Sequence, residues 1–186
     1  MENGKVLWIK NHSIPLKSDI KVYENKIFLI NQDNRIICLS TKDGTKIWDV
    51  RTISSFIKLQ NFLSSAISKK GDLLVLNSAG DLLKIKTNNG KMLWSFNTLE
   101  SPLLNEADFF KSSKIVISDN NIIVSVKSSI SSYDLDTGYN NWKQEASTIG
   151  TPIIDGQNIY IVTDNGFFVI IDINSGKIIS STNILK

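Results

Sequence analysis

The chain has 186 residues, of which 41% are hydrophobic and 21% charged, and its net charge is +3. This composition is sufficient for a buried core, and no run approaches the roughly 18 apolar residues of a membrane-spanning helix. The basic residues are spread along the chain, which disfavours a nucleic-acid interface because such an interface needs a basic cluster on one face.

Residues 4–8 begin the chain with a Gly-Lys-Val-Leu-Trp phrase, and its glycine and tryptophan return three times. The later copies end in Trp48, Trp94 and Trp142, whereas a further copy keeps its glycine but has Ser180 at the tryptophan position. The repeat glycines are Gly4, Gly44, Gly90, Gly138 and Gly176, which are 40, 46, 48 and 38 residues apart. Steps of about 40 to 50 residues with several short strands each are typical of propeller blades, which are four-stranded antiparallel sheets.

The sequence therefore predicts an all-β fold, a β-propeller segment with blades at about residues 14–50, 62–96, 101–143 and 151–181. Residues 4–8 are predicted to be the outermost strand of a preceding blade. In blade one, strands are predicted at residues 15–22, 26–31, 35–40 and 46–50. The second strand of each blade is a continuous apolar run, as expected for a strand that is buried on both faces.

Glycine and tryptophan have structural roles in this repeat. The glycine is expected to turn the chain into the last strand of the blade, where Asn and Asp also tolerate a positive φ. The tryptophan four residues later is predicted to lie between neighbouring blades, where removal of one ring would cost about 3–5 kcal/mol. The predicted structural residues are Gly44, Trp48, Gly90, Trp94, Gly138, Trp142 and Gly176.

Two connections are longer and more apolar than the others, at residues 51–62 and 97–114. Long apolar connections either fold back over a strand or the central channel, or present a surface to a partner. Both interpretations stay open at this point. The candidate partner-binding residues are Phe56, Ile57, Leu59, Phe109 and Phe110.

The phrase from Asp134 to Gly138, followed by Trp142, resembles the tryptophan-docking repeat of quinoprotein-type (PQQ-like) β-propellers. Residues 101–104 and 151–154, Ser-Pro-Leu-Leu and Thr-Pro-Ile-Ile, are similar to the start of that repeat. The resemblance covers nearly the whole chain, but the repeat encodes blade geometry rather than chemistry. Two branches of the family remain open: the PQQ-dependent dehydrogenases and the BamB-like proteins.

The dehydrogenase branch implies an adjacent Cys-Cys disulfide against the quinone, a catalytic Asp and a bound Ca²⁺. Cys38 is the single cysteine, and the Asp and Asn residues cluster at turns, where they have a conformational role. A hard cation needs several converging oxygen ligands, and no repeat concentrates them. We therefore predict no catalytic residue, no cofactor and no metal site, and interpret Cys38 as a small buried hydrophobe.

The BamB-like resemblance implies a non-catalytic scaffold for protein–protein interaction in the assembly of outer-membrane β-barrel proteins. It further implies a periplasmic, outer-membrane-associated parent protein whose partners belong to the barrel-assembly complex. The alternatives are a fragment of a PQQ-dependent dehydrogenase and a PQQ-like ligand or sensor module. Residues 1–4 lack the features of a signal peptide.

The resemblance also implies an eight-bladed ring, of which four blades and one strand are about half. Blade four has apolar runs at residues 159–162 and 167–171 that leave it no polar outer face. The terminal unit of a repeat array needs such a face to stay soluble alone. We therefore expect completion of the ring, either by further sequence or by self-association.

Overall fold

The computed structural model describes residues 4–53, 63–99, 112–148 and 150–185. These residues form four antiparallel sheets of four strands each, which are the blades of a β-propeller. Within the described ranges, no helix is long and apolar enough to cross a membrane. The strands of blades one and two are β1 (Lys21–Tyr23), β2 (Lys26–Ile30), β3 (Arg35–Ser40), β4 (Lys46–Arg51), β5 (Ser64–Ile67), β6 (Asp72–Leu76), β7 (Asp81–Lys86) and β8 (Met92–Asn97). Those of blades three and four are β9 (Val116–Ser118), β10 (Asn121–Val126), β11 (Ser129–Asp134), β12 (Asn140–Gln144), β13 (Ile153–Asp155), β14 (Asn158–Val162), β15 (Phe167–Asp172) and β16 (Ile178–Asn183).

Every blade is a simple meander, because each strand pairs with the strand that follows it in sequence. The first strand of each sheet and the last strand lie at opposite edges, so β4, β8, β12 and β16 are edge strands. The pairing of the third and fourth strands shifts register at the same place in all four blades, between Cys38 and Leu39 in blade one. This shared irregularity shows that the repeated phrase folds in the same way each time.

Two predicted strands of the N-terminal region differ from the structure. Residues 4–8 were expected to be an outer strand, but they belong to no strand, and no described residue forms a ladder with them. The inner strand predicted at residues 15–22 is reduced to β1 and an isolated bridge between Leu16 and Asn31. Here the hydroxyl of Ser18 accepts the backbone N–H of Ile30 at 2.9 Å, so a side chain replaces part of the ladder.

The hydrophobic core lies between the blades, and alternate residues of one strand face opposite neighbours. In β6, Leu73 and Val75 pack with blade one, whereas Leu74 and Leu76 pack with blade three. A third cluster joins blades three and four through residues such as Ile123 and Ile159. The second strands are apolar without alternation because both of their faces are covered.

An indole ring joins each blade to the next. The ring of Trp142 lies on Gly176 of blade four, and its Nε1–H donates to the carbonyl of Ile173 at 2.8 Å. The same contact recurs where Trp8, Trp48 and Trp94 lie on Gly44, Gly90 and Gly138, with indole donors 2.9, 3.0 and 3.3 Å from the carbonyls of Thr41, Thr87 and Leu135.

The docking position admits only glycine, for two reasons that Gly176 illustrates. Its φ is +70°, a left-handed conformation that side chains other than glycine's rarely adopt. A Cβ atom at this position would lie 2.5 Å from Cδ2 of Trp142, well inside van der Waals contact. The glycine therefore provides both the turn into β16 and the flat surface on which the indole rests.

Blade four presents an apolar surface on the face that points away from blade three. Ile153, Val162 and Phe168 are 66%, 50% and 37% exposed there. On the opposite face of the same sheet, Ile159, Ile161 and Val169 are buried against blade three. Ser180 stands opposite Ile170 in the ladder, at the place where the other blades have tryptophan. Blade four thus receives an indole ring and provides none.

We predict that replacing Trp142 with alanine lowers the free energy of unfolding by about 3–5 kcal/mol. This ring is only 8% exposed, and the substitution removes both its burial and its bond to Ile173. The change is measured by urea denaturation followed by circular dichroism. The matched control is Ser180→Ala, at the same repeat position of blade four, where an exposed side chain should change stability by less than about 0.5 kcal/mol. Equal losses in the two variants would contradict the docking role.

Candidate protein-binding site

The residues predicted to bind a partner, Phe56, Ile57, Leu59, Phe109 and Phe110, lie outside the described residues. Their role stays a prediction. Among the described residues, two surface grooves lie between the outer parts of neighbouring blades.

One groove lies between blades two and three and has a volume of about 550 Å³. It lies along the second half of the edge strand β8 and extends to the turn between β11 and β12. Its lining residues are Trp94, Ser95, Phe96, Asn97, Thr98, Leu99, Tyr133, Thr137, Gly138, Tyr139, Asn140 and Lys143. A groove of this size is within the range of about 300–1,000 Å³ that is usual for ligand sites. We call it the aromatic groove.

Three rings, of which Phe96 contacts the other two, give the aromatic groove its apolar side. The ring of Phe96 stacks on that of Trp94 at a centroid distance of 5.6 Å and an interplanar angle of 27°. The same ring meets Tyr133 of blade three at 4.9 Å with a tilt of 43°. Offset and tilted arrangements of this kind are favourable because the ring faces are negative and the edges positive. At the mouth of the groove, Tyr139 is 77% exposed.

The polar side of the aromatic groove is held in place by hydrogen bonds from the end of β8. The side-chain amide of Asn97 donates to the carbonyl of Ala79 and to Asp81, both at 2.9 Å. Thr98 adds two bonds, from its N–H and its hydroxyl, to the carbonyl of Gly80 at 2.8 and 2.7 Å. The wall that follows β8 is therefore fixed to the turn between β6 and β7.

A second groove, of about 480 Å³, lies between blades three and four and differs in chemistry. Its lining includes the carboxylates of Glu145 and Asp164 together with several hydroxyl groups, and Phe167 is its single aromatic residue. The two interfaces have the same docking contact, so the difference comes from the residues around it.

Beneath the aromatic groove, a buried lysine joins blades two and three. Lys84 is only 4% exposed, and its Nζ donates to the carbonyl of Leu135 at 3.0 Å. It also contacts Asp72 of its own blade at 3.2 Å and Asp136 of blade three at 3.5 Å. Asp136 is bonded in turn by Lys70 at 3.0 Å, which lowers the pKa of its carboxyl group. A buried ammonium group is tolerable only with such partners.

The aspartates of the turns bond to their own turns. The hydroxyl and backbone N–H of Thr137 both donate to Asp134 at 2.7 Å, and these bonds lower the pKa of that carboxyl group. Ser175 acts in the same way on Asp172 in blade four. Within the part of the chain that the structure describes, no group of three or more His, Cys, Asp or Glu residues could hold a metal ion.

Cys38 lies in the core between blades one and two and is fully buried. Desolvation raises the pKa of its thiol to about 11, against a smaller opposing effect of Lys26. The thiol is therefore protonated near neutral pH, whereas nucleophilic chemistry requires the thiolate. Cys38 packs as a small apolar side chain.

The family follows from a comparison with known proteins. A family model described as outer membrane protein assembly factor BamB matches residues 1–182. The chain belongs to the BamB family. Two relatives with that same description share 24% identity over 98% of the chain, in Moranella endobia, and 27% over 91%, in Shewanella oneidensis. These alignments cover 51% and 44% of the relatives, so the chain spans about half the length of the curated relatives it matches.

Solved structures show the same fold. The crystal structure of BamB from Moraxella catarrhalis matches 98% of the chain and 56% of its own length, with a TM-score of 0.86 at 14% identity. Quinohemoprotein alcohol dehydrogenase from Comamonas testosteroni matches 90% of the chain and 35% of its own length, with a TM-score of 0.69 at 17% identity. The propeller of the BamB family is thus also the propeller of catalytic proteins, and the fold alone does not separate them.

Sequence reasoning did not single out Phe96, Tyr133 or Tyr139, which the structure brings together in the aromatic groove. Their signal lies in the differences between the copies of the repeat. Two residues after the tryptophan, Phe96 stands where the neighbouring copies have Val50 and Gln144. These residues can be found by comparing the repeats position by position for differences. They are overlooked when only the residues common to all repeats are considered.

We predict that Lys84→Met destabilises the protein by about 1–3 kcal/mol, because it leaves Asp72 without its buried cationic partner. The loss stays below that of a fully buried pair since Asp136 retains Lys70. The matched control is Lys69→Ala, which removes an exposed pair with Asp119 and should cost about 0–1 kcal/mol. Chemical denaturation measures the free energy of unfolding of both variants. Equal losses would show that the buried lysine does not link the two blades.

Proposed function

We propose that this chain is a non-catalytic β-propeller scaffold for protein–protein interaction in the assembly of outer-membrane β-barrel proteins. Its place is the periplasmic side of the outer membrane, and its partners are proteins of the barrel-assembly complex. The observation that carries this proposal is the match of the BamB family model to residues 1–182. Membership over that length joins the chain to relatives that are named assembly factors.

The geometry supports a scaffold. Blades linked by ring-on-glycine contacts form a rigid array whose outer edge strands and grooves are available to other proteins. Near neutral pH the Cys38 thiol is protonated and buried, and the turn aspartates Asp134 and Asp172 bond within their own turns. We infer from this that the chain works by binding and is not an enzyme.

A fragment of a PQQ-dependent dehydrogenase is the second candidate. It is favoured by the fold similarity to the Comamonas testosteroni enzyme, although the TM-score of 0.69 is lower than the 0.86 found for BamB. This candidate requires a quinone site with a Ca²⁺ ion, for which the described residues offer no cluster of carboxylates.

The proposal predicts that the tagged chain, produced in the periplasm of a Gram-negative bacterium, captures subunits of the barrel-assembly complex after crosslinking. Mass spectrometry of the captured proteins measures their enrichment. The control is a quinoprotein dehydrogenase of the same fold, produced in the same compartment with the same tag. Equal recovery with both proteins contradicts the proposal, and so does oxidation of an alcohol after reconstitution of the chain with PQQ and Ca²⁺.

We further propose that the purified chain associates with a second copy through the open face of blade four. Ile153, Val162 and Phe168 leave an apolar surface there that association would cover. Sedimentation velocity should show a dimer that dissociates in the Phe168→Glu variant. The control Ile47→Glu alters a similarly exposed residue on the outer strand of blade one and should leave the dimer intact. A monomeric wild-type chain at all concentrations would refute self-association.

A further inference from the structure

The four copies of the repeat allow each interface between blades to serve as a control for the others. Every docking contact uses the same elements, a tryptophan, a left-handed glycine and a carbonyl acceptor. A residue that docking requires should therefore recur in every copy. A residue that is unusual at one interface must have another cause.

Three aromatic residues are unusual in this sense, and all of them line the aromatic groove. Phe96 corresponds to Val50 in blade one and Gln144 in blade three. Tyr133 corresponds to aliphatic residues, Leu39, Ile85 and Ile171, and Tyr139 corresponds to Thr45, Lys91 and Lys177. Docking of blades one and two, and of blades three and four, proceeds without these rings. Tyr133 is buried in the core between blades two and three and Phe96 packs against that core, so these two rings also serve the interface, whereas Tyr139 is exposed and does not.

The placement of Tyr139 strengthens this argument. Its side chain is 77% exposed at the mouth of the groove, while its counterparts in blades two and four are lysines. An exposed aromatic ring contributes little to folding but much to an interface, because it brings a large apolar area at a small cost in conformational entropy.

Beside the rings, the groove follows the unpaired edge of a strand. Residues 94–99 line it without a break, and β8 is the edge strand of its sheet, paired with β7 along one side. An edge strand presents backbone N–H and C=O groups to an extended chain, and pockets beside it select alternate side chains. We propose that the aromatic groove binds an extended peptide segment, which pairs with β8 and places an aromatic side chain against Phe96, Tyr133 and Tyr139.

The charges that line the groove indicate which net charge a bound peptide should have. Lys143 is the one charged residue among its lining residues, and the lining holds no carboxylate. A peptide rich in lysine or arginine therefore meets no carboxylate among the lining residues, and we expect the groove to favour a neutral or weakly acidic peptide over a basic one. The inference rests on the proposed function, since a scaffold for protein–protein interaction needs a surface that recognises polypeptide.

The test uses the full chain and a fluorescein-labelled peptide of about eight residues, the length of a strand, in which Phe or Tyr alternates with Ser or Thr and one Glu. Fluorescence anisotropy measures its binding. A peptide with alanine in place of the aromatic residues should bind at least about tenfold more weakly. A peptide with N-methylated backbone amides on the pairing side should lose binding to a similar degree, because it cannot pair with β8.

The variants replace a groove residue with the residue that stands at the equivalent position of another blade, so that the groove changes and the fold is kept. Tyr139→Lys and Phe96→Val should each weaken peptide binding about tenfold. The urea midpoint of the Tyr139→Lys variant should equal that of the wild-type chain. The matched control Gln144→Val alters the equivalent repeat position in β12, which does not line the aromatic groove, and this variant should bind the peptide normally. Circular dichroism verifies that each variant is folded.

Three results overturn the proposal: full affinity in both groove variants, full affinity of the alanine peptide, or full affinity of the N-methylated peptide. Displacement of the peptide by an oligosaccharide of N-acetylglucosamine would also overturn it, since the groove would then recognise a sugar. If the chain captures the barrel-assembly complex but does not bind the peptide, the groove assignment fails and the proposed function stands. If the chain binds the peptide but does not capture the barrel-assembly complex, the groove assignment stands and the proposed function fails.

Discussion

The contact of an indole ring with a buried, left-handed glycine is the constraint on which this fold depends. It joins parts of the chain that are about one repeat apart, and it fills the space that the missing side chain of the glycine leaves. The indole N–H bonds to a carbonyl of the same turn, so burial of the ring leaves no donor unpaired. Because glycine is needed for both its conformation and its small size, the turn and the docking surface cannot vary independently.

Because the docking contact is the same at each interface, the residues around it can differ from blade to blade. At the interface between blades two and three, the carbonyl of Leu135 accepts both the indole of Trp94 and the ammonium group of Lys84. The ring that forms part of the groove is thus held from below by a hydrogen bond and from the side by Gly138. A surface that is already ordered pays less conformational entropy when it binds. The residues that dock the two blades and the residues that line the aromatic groove therefore lie side by side at this interface.

The all-β architecture could be predicted because each blade is encoded by a copy of the same sequence repeat. The spacing of its glycines and tryptophans predicts blades, and the third strand of blade one has the predicted bounds, Arg35–Ser40. The strand predicted at residues 4–8 stays a prediction, because a strand is defined by its partner, which a local phrase does not specify, and the structure assigns these residues to no strand. The groove was missed for a related reason: Phe96 and Tyr133 lie in different blades, and their contact depends on how two sheets stack.

Ser180 has a consequence for the motions of the propeller. Docking runs in one direction, since the tryptophan of each of blades one to three lies on the blade that follows. In such a series the stability of a unit depends on its nearest neighbours. Blade four is tied by the ring of Trp142 on one side, while on the other it has Ser180 in place of a ring. Without a docked ring at Ser180, β16 is held by its ladder with β15 and should open at a lower free energy than an outer strand whose tryptophan is docked. The amide hydrogens of β16 should therefore exchange with solvent faster than those of β4, β8 and β12, whose tryptophans are docked.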